Sequence, residues 1–165
     1  MTSSIYNSPI GPLLISEEDG CITEISFMEA DTREKYRKEA QATQPPAGVI
    51  AACIAELEAY FAGRLQDFTT PIKLNGTDFR KRVWAALMTI PYGHTISYKE
   101  LARRIGQPKA MRAVGGANNH NPISIIVPCH RVIGANGALV GYGGGLDKKQ
   151  FLLELEKRTC GICPH

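Results

Sequence analysis

Cys129-His130-Arg131 is the densest concentration of reactive chemistry in this 165-residue chain. It follows an apolar run, Ile123-Ser124-Ile125-Ile126-Val127, and a proline, Pro128, that fixes the backbone. A thiolate is the reactive form of cysteine, and cationic or hydrogen-bonding neighbours stabilise it. An inert packed cysteine is the commoner fate of Cys after such a run. His130 and Arg131 are costly neighbours for a purely packed site, which favours the nucleophile. In a strand the two side chains of a dipeptide point to opposite faces, so a Cys129–His130 link needs a local bend or a water.

A third partner for the pair can come from the last helix, whose buried side is marked by Phe151, Leu152, Leu153 and Leu155. Glu156 lies three and four residues beyond Leu153 and Leu152, so it emerges beside apolar neighbours. A carboxylate there can hold a histidine in one tautomer and stabilise its charged form. Spacing alone favours a surface glutamate with its stem packed down. Glu154 faces elsewhere and can pair with Arg158. The terminal Cys160-Gly161-Ile162-Cys163-Pro164-His165 offers at most three metal ligands and no second pair, so it reads as a bystander tail.

The elements that must position these residues are mostly helical. Thr77 caps a helix running to about Met88, with Phe79, Val83, Trp84 and Leu87 as its apolar stripe. Ser97-Tyr98-Lys99-Glu100 is a capping box for a second helix ending at Gly106. Pro108 suits the first turn of a third, which runs to about Asn118. Two short helices joined around Gly106 outline a helix-turn-helix. The later one is slim, with Ala110, Ala113, Gly115, Gly116 and Ala117, and Arg112 as its one long cation. It suits either tight packing or insertion into a narrow DNA groove. Arg131–Gly134 and Ala138–Val140 flank Asn136-Gly137, so a hairpin forms the wing of a winged helix. A Gly141–Gly145 loop follows, and Asp147 caps the last helix, to about Arg158.

The N-terminal half has two β-type runs. Ile5-Tyr6 leads through Ser8-Pro9-Ile10-Gly11-Pro12 into Leu13-Leu14-Ile15, and Asp19-Gly20 then turns into Cys21–Phe27. Asp31–Ala40 reads as a short exposed helix and Gln41–Gly48 as a loop. Val49–Phe61 has helical spacing at Ile50, Ile54, Leu57 and Phe61, closed by Gly63, and Thr69–Gly76 reads as a linker.

Charge divides the same way. The formal net charge is +3, but residues 1–73 hold 6 Lys and Arg against 11 Asp and Glu, a net of −5, whereas residues 74–165 hold 13 against 5, a net of +8. The basic half suggests a polyanionic partner, with a solvated face as the plain alternative. The longest apolar run, Val49–Ala55, falls far short of the roughly 20 residues of a membrane helix. The N-terminus lacks the pattern of a signal peptide. Five scattered cysteines argue for a reducing, cytoplasmic setting rather than a disulfide scaffold.

Asn121-Pro122-Ile123-Ser124-Ile125-Ile126-Val127-Pro128-Cys129-His130-Arg131-Val132-Ile133-Gly134 resembles the active-site signature of the O6-alkylguanine-DNA alkyltransferases, stand-alone bacterial type. Arg112–Ala117 resembles that family's recognition helix. The likeness continues through Val83-Trp84, Ile90–Gly93 and Ser97-Tyr98, and more loosely through Ser8–Leu13 and Tyr60–Gly63. It implies an α+β fold: a small N-terminal α/β, ribonuclease-H-like lobe with its linker (1–73), a winged-helix DNA-binding and alkyltransferase domain (74–158), and a flexible tail (159–165).

The resemblance implies suicide DNA repair. Arg112 would fill the gap left by a flipped alkylguanine, and Cys129 would take the alkyl group irreversibly. His130 would take the thiol proton through a water, Glu156 would orient His130, and Tyr98 would donate to guanine N3. Asn121 would brace the turn presenting Cys129. Backbone carbonyls of Cys129 and Val132 would accept from the guanine amino group. Ser97, Ala113, Gly115, Tyr142 and Gly143 are further expected contacts. Some members carry Ser where Gly143 stands, so one hydroxyl donor is missing here and bulkier alkyl groups gain room.

No cofactor or metal is implied. The partner is duplex DNA carrying O6-alkylguanine, with O4-alkylthymine as a further substrate, bound by a monomer that can act cooperatively. The competing readings are a lesion-recognising protein without transfer activity, a winged-helix regulator, and a Cys-His-Glu hydrolase.

Overall fold

The computed structural model describes residues 2–28, 44–142 and 144–159. The expected Asp31–Ala40 helix, the first three residues of the Gln41–Gly48 loop, Gly143 and the Cys160–His165 tail lie outside the described residues. The chain divides into two compact units, Met1–Leu74 and Asn75–His165.

In the first unit, β1 (Thr2–Ser8), β2 (Gly11–Glu18) and β3 (Cys21–Phe27) form an antiparallel sheet in the order β1-β2-β3. The segment read as one run from Ile5 to Ile15 is therefore itself a hairpin. The Ser8 hydroxyl donates to the Gly11 carbonyl at 2.6 Å and accepts from Ile10 N, while Gly11 takes φ +112°, reversing the chain within two residues. Asp19 and Gly20 both have positive φ, the geometry a tight two-residue hairpin turn requires.

Helix α1 (Gly48–Phe61) packs on this sheet through Ile50, Cys53, Leu57 and Tyr60. The buried stripe thus uses Cys53 and Tyr60 where Ile54 and Phe61 were expected. Thr69–Gly76 is not a free linker in its first half. The Glu56 carboxylate accepts from the backbone N–H groups of Thr69 and Thr70 at 2.7–3.1 Å. Ile22 N donates to Pro71 O and Lys73 N to Ile22 O, both at 2.9 Å.

The second unit begins with α2 (Asp78–Leu87), whose Thr77 cap accepts from Arg80 N at 3.2 Å. Val83, Trp84 and Leu87 are buried, and the Trp84 indole N–H donates to Ala117 O at 2.9 Å. Next come β4 (Ile96–Ser97), α3 (Tyr98–Arg104) and α4 (Met111–Asn119). The three helices pack on one another around Val83, Trp84, Leu101 and Val114. Gly106, at φ +72°, makes the sharp turn between α3 and α4. Helix α4 starts at Met111 rather than at Pro108, because Ala110 N first closes a turn on Gln107 O. Only half the capping box at Ser97 forms as expected. Its hydroxyl accepts from Glu100 N at 3.0 Å, while the Glu100 carboxylate accepts from Arg103 and Arg104.

Four further expectations are corrected. Ile123–Val127 is not a strand but a compact turn with one isolated bridge, Ser124 to Val127, and Ile125 at φ +75°. The wing hairpin is reduced to a turn, with Gly134 N donating to Ala138 O. β5 (Val132–Ile133) pairs in parallel with β4 instead, and the Val140 carbonyl is taken by side chains rather than by a ladder. The last helix, α5 (Leu146–Thr159), begins one residue before Asp147, and Glu154 accepts from Gln150 rather than pairing with Arg158.

Candidate active site

Cys129 opens a single 3₁₀ turn, Cys129–Arg131. Pro128 has no N–H to continue a ladder, and Arg131 N closes the turn on Pro128 O at 3.0 Å. That turn is the local bend the Cys-His dipeptide needs. Asn121 braces the approach from both sides: its Oδ1 accepts from Ile123 N at 3.0 Å and its Nδ2 donates to Val127 O at 2.8 Å. A β-branched residue at positive φ costs on the order of 1 kcal/mol, so the bonds that Asn121 makes around Ile125 oppose relaxation of the turn. Cys129 is only 4 % exposed. Burial pushes its thiol up to about 11, partly offset by a hydrogen bond involving Asn121 and the charge of Lys149.

His130 is fully buried, and its Nε2 donates to Glu156 Oε2 at 2.6 Å. Glu156 is 1 % exposed, not a surface residue as its spacing suggested. It also accepts from Arg131 Nε at 2.8 Å, Arg131 Nη2 at 3.1 Å and Gly93 N at 3.2 Å. Burial opposes its ionisation, yet the charges and hydrogen bonds of His130 and Arg131 prevail and hold the carboxyl well below the usual range. An anionic Glu156 has no proton to give, so His130 Nε2 carries the N–H. In the neutral ring the lone pair is then on Nδ1, which is buried without a protein partner. Burial lowers the His130 pKa, Glu156 opposes this, and Arg131 and Lys149 add to it.

Tyr98, at the first position of α3, sends its hydroxyl to Val140 O at 2.9 Å. Lys149, fully buried on α5, donates to the same carbonyl at 2.8 Å and to Gly141 O at 3.2 Å. Burial brings its ammonium down to about 8, against the pull of Cys129. A cleft of about 410 Å³ opens here, lined by Tyr98, Met111, Arg112, Gly115 and Val140 among others. A Cβ on Gly115 would sit 3.9 Å from the Tyr98 ring, an ordinary contact, so α4 has room for an alanine at this position. Arg112 and Ala113 are exposed on α4. The Tyr142 phenol is pushed well above its ordinary value, by burial first and then by Cys129.

The structure thus brings Cys129, His130 and Glu156 into one buried group with the half-buried Asn121 beside it, and Tyr98, Arg112 and Gly115 onto one cleft. Val132 is buried in β5 directly after the turn. Ser97 is engaged as the α3 cap. Sequence reasoning missed two participants. Arg131 was noticed only as a costly neighbour. Lys149 was overlooked, although it shares the 149, 152, 156 helical face with Leu152 and Glu156.

A three-stranded sheet lobe followed by a helix-turn-helix lobe that holds a buried Cys-His-Glu group defines an α+β protein of two units. Residues 1–74 match the model of the 6-O-methylguanine DNA methyltransferase ribonuclease-like domain, and residues 78–158 that of the 6-O-methylguanine DNA methyltransferase DNA-binding domain. The chain is 52 % identical to the methylated-DNA–protein-cysteine methyltransferase of Mycobacterium tuberculosis, over 92 % of this chain and 89 % of that protein. It is 47 % identical to the protein of the same name from Methanosarcina acetivorans, over 94 % and 98 %. It is also similar to a crystal structure of Mycobacterium tuberculosis OGT in complex with DNA, at TM-score 0.86 and 49 % identity, covering 96 % of this chain and 94 % of that one. The chain belongs to the 6-O-methylguanine DNA methyltransferase family.

Proposed function

We propose that this protein repairs O6-alkylguanine in duplex DNA by moving the alkyl group, irreversibly and once per molecule, to its own Cys129. The observation that carries the reading is the placement of Cys129 at the head of a braced 3₁₀ turn, followed directly by a buried His130–Glu156 pair, within a helix-turn-helix lobe.

Arg112, exposed on α4, fills the stack as the damaged nucleotide turns out through the minor groove, and Ala113 and Gly115 let the helix lie close to the DNA. Ser97 and Tyr142 flank the path of the base. Cys129 Sγ attacks the alkyl carbon in line: the S–C bond forms, the C–O6 bond breaks, and the electron pair stays with the base. The thiol proton passes to His130 Nδ1 through a water, and Glu156 stabilises the ring as it charges. Tyr98 donates to N3 of the leaving guanine. Its burial keeps the phenol protonated and so able to donate. The backbone carbonyls of Cys129 and Val132 take the amino group of the base. O4-alkylthymine presents the same alkyl–oxygen bond and is a second substrate. The product is a neutral thioether, a poor leaving group, which supports a single turnover. The reading also has the protein act as a cytoplasmic monomer, in keeping with the free thiols of Cys21, Cys53 and Cys129.

The test is incubation with duplex DNA carrying O6-methylguanine, followed by intact mass and peptide mapping. One methyl group on Cys129, absent in Cys129→Ala, is the expected result. Tight lesion binding with no mass gain would overturn the reading.

A further inference from the structure

The proton acceptor in this reading is His130, and its basicity is set by whatever faces it. Left alone with His130, a buried Glu156 would draw a proton onto the ring, because an opposite charge at hydrogen-bond distance favours the charged form. A ring already protonated on Nδ1 cannot accept from Cys129. The structure does not leave Glu156 alone. Arg131 lies across both carboxylate oxygens, Nε on Oε1 at 2.8 Å and Nη2 on Oε2 at 3.1 Å. Its remaining arm is fixed too: Nη1 donates to Ile90 O at 2.7 Å, and the guanidinium lies 5.6 Å from the centre of the Tyr92 ring. The cation is therefore immobile, 7 % exposed, and matched to the carboxylate in the forked geometry that only arginine offers.

Resting on the repair reading above, we propose that Arg131 is a positioning residue of alkyl transfer: by binding both oxygens of Glu156 it limits the pull of that carboxylate on His130 and holds it in the plane that keeps the Nδ1 lone pair available. The other groups that bear on His130 are Lys149 and Glu156 itself from α5, and Arg131 from its own turn. The buried Tyr142 phenol, which also senses Cys129 and Glu156, is neutral. Lys149 acts in the same direction as Arg131, but its ammonium is committed to Val140 O and Gly141 O, so it cannot replace the fork on Glu156.

The experiment is an NMR titration of the His130 ring in the DNA-free protein, with methyl transfer followed in parallel. Arg131→Met keeps the volume and removes the charge. The midpoint of His130 should rise by about one pH unit or more, since one nearby opposite charge commonly moves a buried group by that much. The acid limb of the transfer rate should move up with it. Glu156→Gln combined with Arg131→Met should return the midpoint to the wild-type value or below. If Arg131→Met does not fold, Arg131→Lys serves: a point charge cannot bridge both oxygens, and a smaller rise is expected. An unchanged or lowered His130 midpoint in a folded variant would overturn the proposal. Failure of the repair reading is separately visible, as wild-type protein that gains no methyl group whatever its His130 titration shows.

Discussion

Replacing Glu156 by glutamine tests the centre of the site with one changed atom. The carboxylate accepts from Gly93 N and Arg131 Nε on Oε1, and from His130 Nε2 and Arg131 Nη2 on Oε2. An amide has one oxygen and one NH₂. With the His130 tautomer unchanged, two of the four donors then face another donor whichever way the amide turns. At least one of the lost bonds comes from the guanidinium, and hydrogen bonds to charged groups contribute about 1.5–3 kcal/mol each. Two losses give about 3–6 kcal/mol, in line with the roughly 3–5 kcal/mol for breaking a buried ion pair from one side.

With a urea dependence of about 2 kcal/mol per molar, the unfolding midpoint should fall by roughly 2 M. Glu154→Gln, two residues away and exposed, should stay within about 0.5 kcal/mol and serves as the control. Methyl transfer by the folded fraction should drop by about 10²–10⁴, because the ring loses the partner that fixes its tautomer. A loss of under about 1 kcal/mol would refute the reasoning, since it would mean that the four donors find other acceptors at no cost.

Arg112→Ala should leave folding and reaction with free O6-methylguanine base unchanged while slowing repair of duplex DNA at least tenfold; equal slowing on both substrates would count against a role in the helix. Gly76→Ala would set a Cβ 2.7 Å from Trp84 Cη2 and 2.8 Å from Cζ3, against a ring pinned to Ala117 O, and should cost about 1–3 kcal/mol in a thermal melt. Acid should destabilise in two stages. His130 has a lowered folded pKa, so protonation favours the unfolded chain as pH falls below about 6.5. Glu156 is also depressed, so its contribution is complete above about pH 4.3 and is lost as pH falls toward the folded value. A Tm that is flat from pH 7 to pH 4.5 would contradict the first stage.

Helices α2 and α3 were legible because each carries its own punctuation, Thr77 and Ser97 as caps and Gly106 at the turn that follows α3. The β-type runs were less so. Ile123–Val127 has strand composition, but Asn121 folds it into a turn through backbone bonds that no hydrophobic period encodes. Asn136-Gly137 promised a hairpin, yet the Val140 carbonyl is claimed by Tyr98 and Lys149, which are distant in sequence. At the site, Cys129 and His130 were readable as a dipeptide. The burial of Glu156 was not, because helical spacing is equally satisfied by a side chain that turns outward. What buries it is the fork of Arg131 and the N–H of Gly93, and Gly93 lies 63 residues away.

The 4 % exposure of Cys129 bears on which electrophiles can reach it. A protein that reacts once has a finite stock of working molecules, and every encounter with a stray electrophile or oxidant dissolved around it would deplete that stock. A recessed sulfur is a poor target for such species. In the proposed reaction it meets its electrophile when a flipped base brings the alkyl carbon to it. On the proposed reading, the depth of the cysteine would act as a filter on identity and keep the molecule intact until it meets a lesion.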